Sequence, residues 1–223
     1  EAGARVLLHA GRDSDELTAT ATRMGAGADR LVEDLSAPGA GFRLFEKALA
    51  RAGGVDGVVN NAGVYLKTPV AGAAEDWTKG WETQLAVNLQ APADICRAAI
   101  AHFRKAKKGG RVVNIASRAA HRGDSLDHAG YAATKGGLIA LTKTFARALS
   151  GEDILFFAVS PGWVETRMAP EDVEARGKAL AEIPLGRVAA PEEIGALTAF
   201  LLNDVCPSAT GATFDVNGAS YVR

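Results

Sequence analysis

Short apolar runs alternate with longer amphipathic segments along the chain. The runs are rich in β-branched and aromatic residues, which is typical of buried strands. They lie at Val6–Leu8, Leu31–Val32, Val58–Val59, Val112–Ile115, Ile154–Val159 and Thr213–Val216. Helical periodicity covers Asp15–Met24, Phe42–Ala52, Glu75–Arg104 with a break at Pro92, Tyr131–Leu149 and Pro191–Leu202. Because a helix between two strands makes a crossover connection, the pattern predicts a doubly wound parallel α/β sheet in one domain over residues 1–223.

The beginning of the chain does not match a complete sheet of this kind. Residues 1–5 look like the end of a helix that leads into the first apolar run. A preceding strand, glycine-rich turn and helix are therefore expected, and such a unit takes about 25 to 30 residues. We expect the native protein to begin before Glu1, so that the domain is incomplete at its N-terminus.

Composition and charge exclude several classes of protein. Of the 223 residues 48% are hydrophobic, which is enough for a sizeable core. The formal charge of −1 offers no general attraction to nucleic acid or to an anionic membrane. The basic run Arg104–Lys108 fits the C-terminal end of a helix better than a binding patch. No apolar stretch approaches the roughly 20 residues that span a bilayer, and no secretion signal is visible, so a soluble cytoplasmic protein is expected.

Cysteine and histidine usage points away from disulfides and metals. The two cysteines, Cys96 and Cys206, do not make a disulfide framework and are interpreted as packing residues in a reducing compartment. The four histidines are scattered, without the spacing of a zinc site. The sequence therefore predicts no metal.

Two residues at the start of a predicted helix suggest acid–base chemistry. Tyr131 and Lys135 are four positions apart, so their side chains project from one face of the helix. A tyrosine ordinarily loses its proton near pH 10, and a neighbouring ammonium group favours the phenolate. The spacing therefore predicts a phenol of lowered pKa that can exchange a proton with a substrate oxygen.

Further motifs occur in a fixed order around this pair. They are Asn60-Asn61-Ala62-Gly63 at a strand end, Val87-Asn88-Leu89 within a helix, Asn114-Ile115-Ala116-Ser117 at the next strand end and Ser160-Pro161-Gly162 at another. With Tyr131 and Lys135, this set resembles the short-chain dehydrogenase/reductase family in its compact single-domain branch, including 3-oxoacyl-(acyl-carrier-protein) reductase-like members. The resemblance extends from Gly3 to Gly218 and implies a Rossmann-like fold that binds a nicotinamide cofactor.

The resemblance implies four catalytic residues. Tyr131 would protonate the carbonyl oxygen during reduction, or remove the hydroxyl proton in the reverse reaction, while Ser117 hydrogen-bonds the same oxygen. Lys135 would hold the nicotinamide ribose and lower the pKa of the phenol, and Asn88 would anchor a water that relays protons. Ser117 and Tyr131 are fourteen positions apart, one more than in many members of the family. The intervening loop must therefore accommodate an extra residue.

The resemblance also implies a set of cofactor contacts at the strand ends. An adenine contact is expected from Asp34 with Leu35, although Asp34 also suits a turn or helix cap. Asn60, Asn61, Ala62 and Gly63 would line the adenosine ribose. The nicotinamide would be surrounded by Pro161, Gly162, Val164 and Thr166, in addition to Tyr131 and Lys135. Thr166 could instead cap a helix.

The end of the first apolar run bears on the choice of cofactor. An NAD-dependent member would carry an acidic residue at Ala10 to accept hydrogen bonds from the ribose hydroxyls. Ala10 has no carboxylate, and Arg12 offers a planar cation to a 2′-phosphate. Asp13 is interpreted as a helix N-cap. NADP is therefore the expected cofactor, with NAD as the alternative.

Substrate contacts are expected from three segments. The stretch from Arg118 to His128 joins Ser117 to Tyr131, and its charges suit either a polar or anionic substrate or a solvated loop. Within it His121 is a candidate substrate contact, as is Trp163 after the Pro-Gly turn. The charged segment Arg167–Ile183 is predicted to form a helical, mobile lid.

Several functions fit these residues. The first is an NADP(H)-linked reductase or dehydrogenase for a carbonyl/secondary alcohol pair, such as a 3-oxoacyl thioester or a small ketone. An NAD-dependent sugar or polyol dehydrogenase and a catalytically silent nucleotide-binding scaffold or redox sensor are the alternatives. A nucleotide-sugar epimerase would need a larger C-terminal domain. The family also implies a homotetramer, or a dimer, built through the helices around Asn88 and Tyr131.

Overall fold

The computed structural model describes residues 3–25, 27–166 and 172–223. Strands and helices alternate along it as the periodicity predicts. The strands are β1 (Val6–Ala10), β2 (Ala28–Val32), β3 (Gly57–Asn60), β4 (Gly110–Ile115), β5 (Ile154–Pro161) and β6 (Thr213–Val216). The helices are α1 (Asp15–Met24), α2 (Ala40–Ala52), α3 (Ala74–Leu85), α4 (Ala91–Ala106), α5 (Ala119–Arg122), α6 (Ala129–Leu149), α7 (Val173–Ala181) and α8 (Pro191–Leu202).

Every strand pair is parallel, and the chain forms the predicted Rossmann-like α/β fold. The hydrogen bonding divides the strands into a two-stranded sheet, β1-β2, and a four-stranded sheet in the order β3-β4-β5-β6. In the described ranges no ladder joins β1 to β3. The expectation of a preceding strand stays a prediction.

The central strand β5 explains how both faces of the larger sheet are covered. All eight of its residues are buried, and successive side chains point to opposite faces. Ile154 and Phe156 pack with residues of α2, α4 and α6. Leu155, Phe157 and Val159 pack on the other face, where α8 contributes Leu201. The alternation therefore builds two cores around one strand, and the carboxyl end of that strand is held rigidly.

The predicted break near Pro92 is a π-helical turn at Ala86–Gln90, which joins α3 to α4. Proline has no backbone N–H and cannot donate to the carbonyl four residues earlier. The helix therefore widens before Pro92, as π-helical turns commonly do at functional sites. Asn88 lies in this widened turn and is fully buried.

Several local assignments are settled by the caps. Ser14 is the N-cap of α1 and accepts from the Leu17 N–H at 3.1 Å, so the assignment of this role to Asp13 was wrong. Asp172 caps α7, so Thr166 is not its cap.

The two cysteines differ in burial. Cys96 is buried, but Cys206 is exposed and is not a packing residue.

The basic run after α4 ends a helix, as predicted. Lys107 adopts a left-handed conformation with φ of 52° and stops the helix there. Arg104 makes a two-pronged hydrogen bond to Glu152, at 2.7 and 2.6 Å. A helix long and apolar enough to cross a bilayer does not occur in the part of the chain that the structure describes.

Candidate active site

The predicted functional motifs follow the carboxyl ends of adjacent strands. The Asn-Ala-Gly segment follows β3, Ser117 follows β4, and Gly162 follows β5. Because β3, β4 and β5 are parallel neighbours, their carboxyl ends lie along one edge of the sheet. The fold thus brings together segments that are far apart in the sequence.

Helix α6 places Tyr131 and Lys135 beside this edge. The Lys135 Nζ donates to the Ile115 carbonyl at the end of β4, at 2.7 Å, and its side chain is buried. The same nitrogen lies 5.8 Å from the centre of the Tyr131 ring. The Ser117 side chain lies near enough to the Tyr131 hydroxyl to lower the pKa of that group. The structure therefore brings Ser117, Tyr131 and Lys135 together in the arrangement that their motifs predict.

The extra residue between Ser117 and Tyr131 is accommodated by helical structure. The short helix α5 follows Ser117, and a 3-10 turn at Leu126–His128 leads into α6. The Ser117 Oγ accepts from the Ala119 N–H at 3.1 Å, which fixes the side chain at the start of α5. The longer spacing therefore does not displace Ser117 from Tyr131.

Burial favours the neutral forms of Tyr131 and Lys135. It raises the pKa of Tyr131, and the neighbouring Ser117 side chain lowers it by a smaller amount. Burial also lowers the pKa of Lys135 to about 8. The lowered phenol pKa expected from the spacing was therefore wrong, because loss of hydration outweighs the neighbouring groups. Tyr131 keeps its proton at neutral pH and is available as an acid.

The Lys135 shift predicts a pH-dependent stability. Between pH 8 and 10.5 the unfolded chain carries a proton on Lys135 that the folded chain has released. Stability therefore rises with pH across this window. Relative to Lys135→Met, the wild type is expected to gain about 2–3 kcal/mol in its free energy of unfolding. Urea unfolding of both proteins at pH 7, 8.5 and 10 measures the difference, and a constant difference would contradict a depressed Lys135 pKa.

Asn88 connects the loop after β3 to helix α6. Its Oδ1 accepts from the Val64 N–H at 2.8 Å, and its Nδ2 donates to the Val64 carbonyl at 2.9 Å. The Nδ2 also lies 3.2 Å from the Thr134 Oγ1. Thr134 stands next to Lys135 and donates to the Tyr131 carbonyl. Asn88 thus holds the β3 loop against the turn of α6 that carries both predicted catalytic groups.

A second buried amide network lies deeper under the same edge. The Asn60 Nδ2 donates to the Asn114 Oδ1 at 2.8 Å, and the Asn114 Nδ2 donates to the Thr142 Oγ1 at 2.8 Å. All three side chains are buried. Asn60 therefore points into the core and cannot line a ribose with its side chain, contrary to the sequence-based expectation. Its role is to join the ends of β3 and β4 to α6.

An aromatic cluster around Tyr131 was not predicted from the sequence. The ring of Tyr65 meets the ring of Tyr131 edge-on at 4.8 Å and stacks on His128 at 4.0 Å. It also faces Trp163 at 6.2 Å, nearly perpendicular. The only sequence signal for Tyr65 was its place two residues beyond Gly63, at a strand end where ligands bind. Tyr65 and Trp163 form an apolar wall next to the phenol of Tyr131.

The remaining predicted substrate residue lies elsewhere. His121 stacks on Tyr221 with ring centres 5.8 Å apart, and its Nε2 is 3.4 Å from the Ser160 Oγ. Burial lowers its pKa. These partners hold His121 against the C-terminal segment. None of the contacts described for His121 involves Tyr65, Tyr131 or Trp163. The predicted lid is helical over α7, while residues 167–171 lie outside the described residues.

The residues predicted to contact the adenine, the 2′-phosphate and the nicotinamide lie in different surroundings. Asp34 accepts from the N–H and hydroxyl of Ser36 at 2.9 and 2.8 Å, so it does form the turn cap given as its alternative role. Leu35 packs in the core, which leaves its backbone for a ligand. Arg12 is exposed after β1. Pro161 ends β5, Val164 pairs with Ala189, and the Thr166 N–H donates to the Val164 carbonyl.

The loop after β3 fits the close approach of a ligand. A Cβ on Gly63 would lie 3.3 Å from the Asn88 Oδ1 and 3.4 Å from the Lys135 Nζ, so a side chain would crowd both groups. Asn61 and Ala62 beside it are exposed. The ammonium of Lys135 has three donors, of which the Ile115 carbonyl takes one. An exposed backbone beside a donor group suits the ribose of a nucleotide.

Among the residues that can be described, no group of three or more histidine, cysteine or carboxylate side chains is arranged for a metal ion. The expectation of a metal-free site stays a prediction.

Comparison with known proteins agrees with this geometry. A family model described as "Enoyl-(Acyl carrier protein) reductase" matches residues 1–219. The chain is 33% identical over 178 residues to the 3-oxoacyl-(acyl-carrier-protein) reductase FabG of Thermotoga maritima, covering 79% of this chain and 70% of the relative. It is 32% identical over 201 residues to the FabG of Escherichia coli, covering 89% and 80%. It is 37% identical over 179 residues to 3beta-hydroxysteroid dehydrogenase 1 of Eggerthella lenta, covering 78% and 67%.

The fold and these matches define an oxidoreductase that uses a nicotinamide cofactor. The chain belongs to the short-chain dehydrogenase/reductase family.

Proposed function

We propose that the protein is an NADP(H)-linked reductase of carbonyl compounds, or a dehydrogenase of the matching secondary alcohols, with Tyr131 as the general acid and base. The observation that carries the proposal is a phenol that burial keeps protonated, with the Ser117 side chain beside its hydroxyl. A protonated phenol next to a second hydroxyl donor suits a carbonyl oxygen that becomes more basic during reduction.

In this mechanism Ser117 and Tyr131 act on the substrate, while Lys135 and Asn88 support them. Ser117 donates to the carbonyl oxygen and orients it, and Tyr131 transfers its proton to that oxygen. The nicotinamide cofactor, when bound, supplies the hydride that reaches the carbonyl carbon. The C=O double bond thus becomes a C–O single bond, and a C–H bond and an O–H bond are formed. Lys135, held by the Ile115 carbonyl, positions the ribose and returns a proton to the phenolate, while Asn88 keeps the β3 loop in place.

The remaining cofactor contacts in the proposal come from the strand ends. Backbone and polar groups of Asn61, Ala62, Gly63, Pro161, Gly162, Val164 and Thr166 would contact the ribose and nicotinamide, and Asp34 with Leu35 the adenine. Trp163 and Tyr65 would form the substrate wall. We further propose a homotetramer, with a dimer as the alternative, in which α4 and α6 provide the contact surfaces.

NADP is the proposed cofactor because the residues at the end of β1 favour its 2′-phosphate. Ala10 ends the strand without a carboxylate, and Arg12 is exposed two residues later. The Asp13 carboxylate accepts from the Ser14 N–H at 3.0 Å and lies 3.4 Å from Arg30. It is therefore engaged with its own neighbours. A free guanidinium near this edge suits a 2′-phosphate better than a diol.

This preference predicts the behaviour of two variants. Steady-state oxidation of NADPH and NADH with a panel of ketones is the test. Arg12→Ala is expected to raise the KM for NADPH about tenfold, since one charge-assisted contact is lost, and to leave the KM for NADH unchanged. Ala10→Asp should reverse the preference, because a carboxylate repels the phosphate and accepts from a diol.

Arg23 supplies a matched control, because it is an exposed arginine in the last turn of α1. Arg23→Ala is expected to change neither KM. A wild-type preference for NADH, or equal effects of Arg12→Ala and Arg23→Ala, would favour the NAD-dependent alternative.

A further inference from the structure

Arg118 is a buried cation directly beside the reaction site. It follows Ser117, and only 5% of its surface is exposed. Its backbone N–H donates to the Pro161 carbonyl at 2.9 Å, which ties the residue to the ends of β4 and β5. Burial lowers its pKa from the usual arginine value, as expected for a cation removed from water. A buried guanidinium of this kind calls for close hydrogen-bond partners.

The protein satisfies this guanidinium only in part. Its Nη2 lies 3.4 Å from the Glu182 Oε2, and Arg122 reaches the same oxygen more closely, at 3.1 Å. The Arg118 Nη1 is buried and has no hydrogen-bond partner within the described residues. The nearby Asp124 carboxylate uses its Oδ1 for the Ser125 N–H at 2.7 Å and the Tyr65 hydroxyl at 3.3 Å. Arg118 thus lacks the two-pronged carboxylate contact that buried arginines usually make.

The surroundings of Arg118 place it along the substrate wall. The Asp124 carboxylate, whose charge favours the protonated form of Arg118, accepts from the Tyr65 hydroxyl at 3.3 Å. Tyr65 in turn contacts the ring of Tyr131 at 4.8 Å. Arg118 directly follows Ser117, so the Cα atoms of the two residues are about 3.8 Å apart. A substrate oxygen near Arg118 would lie within a few bonds of a carbonyl held by Ser117.

We propose that Arg118 forms an anion subsite and that the preferred substrate is a ketone bearing a carboxylate near its carbonyl group. This inference rests on the proposed reductase function and names its substrate class. The carboxylate accepts hydrogen bonds from the unpartnered side of the guanidinium, while the ketone oxygen meets Ser117 and Tyr131. Neutralisation of a buried cation supplies the selectivity, since the matching ester leaves the Arg118 Nη1 without an anionic partner.

The test compares oxo acids with their ethyl esters. Acetoacetate and 4-oxopentanoate are assayed against the two esters with NADPH, using the wild type, Arg118→Met and Arg122→Met. Methionine keeps much of the volume of the side chain and removes its donors. Arg118→Met is expected to lower kcat/KM for the acids about 10- to 100-fold and to change kcat/KM for the esters less than threefold. Arg122→Met removes a contact to the same Glu182 from an arginine that is more exposed, and it should leave both substrate types within threefold.

Folding controls, a charge-conserving variant and a binding measurement complete the test. Circular dichroism and thermal unfolding establish that the variants fold, and Arg118→Lys supplies a second variant that keeps the charge and is expected to recover part of the acid activity. Calorimetric titration with acetoacetate and NADP tests binding without turnover, and the wild type is expected to bind at least tenfold more tightly than Arg118→Met. Equal use of acids and esters, or equal loss on both, would overturn the anion subsite while leaving the reductase intact. Failure to oxidise NADPH with any carbonyl would instead overturn the proposed function, and the titration would then decide the subsite alone.

Discussion

Replacing Tyr131 with phenylalanine is expected to lower kcat for ketone reduction by about 10²- to 10⁴-fold, the usual contribution of a general acid. The variant loses one oxygen atom and keeps the ring that packs against Tyr65 at 4.8 Å. Folding and cofactor binding should therefore persist. The oxygen that the variant lacks is the atom that would release a proton to the substrate, and it lies beside the Ser117 side chain in the wild type. The decrease should appear in kcat more than in the KM for NADPH, because the hydroxyl acts in the transition state.

Tyr221→Phe is the matched control, since it removes the same atom from a ring that stacks on His121 instead. It is expected to leave kcat within about twofold, as for a substitution away from the reaction. Stopped-flow oxidation of NADPH measures both variants. Activity of Tyr131→Phe within threefold of the wild type would contradict the assignment of Tyr131. A wild type that binds NADPH tightly but reduces no ketone would favour the silent nucleotide-binding scaffold.

Replacing Asn88 with leucine is expected to lower the free energy of unfolding by about 3 kcal/mol. Leucine has a similar volume, but it leaves the Val64 N–H and carbonyl without the partners that now lie at 2.8 and 2.9 Å. Each buried group that loses its hydrogen bond costs about 1–3 kcal/mol. Because Asn88 is fully buried, water cannot replace the amide without a rearrangement of the turn. Guanidinium unfolding followed by circular dichroism gives the free energy.

Glu82→Gln provides the comparison for this loss, because Glu82 is exposed on the neighbouring helix α3. A change of no more than about 0.5 kcal/mol is expected there. Reduced stability of Asn88→Leu should also be accompanied by a weaker affinity for NADPH, since the loop that carries Gly63 is no longer held against α6. An Asn88→Leu protein as stable as Glu82→Gln would show that the amide contacts add nothing to the fold.

Much of the fold could be predicted because it depends on local spacing. A continuous apolar run marks β5, and the 3.6-residue period marks α6 from Tyr131 to Leu149. The apolar positions that the pattern marks are buried throughout β5 and along one face of α6. The break before Pro92 was likewise predictable, because proline removes a specific hydrogen bond wherever it stands in a helix. The direction in which Asn60 points was not predictable, since its partner Asn114 is fifty-four residues away and the pairing exists only when β3 and β4 are adjacent.

The sequence alone placed Tyr131 and Lys135 on one face of a helix, because residues four positions apart share a face. The order of the Asn-Ala-Gly, Ser and Pro-Gly motifs can also be read from the sequence alone. These features were enough to indicate a nicotinamide-linked oxidoreductase. Tertiary structure alone decided the direction of the Tyr131 pKa, because hydration depends on everything packed around a group, not on its neighbour in a helix. It also decided the wall formed by Tyr65 and the incomplete pairing of Arg118, since both arise where separate strand ends meet.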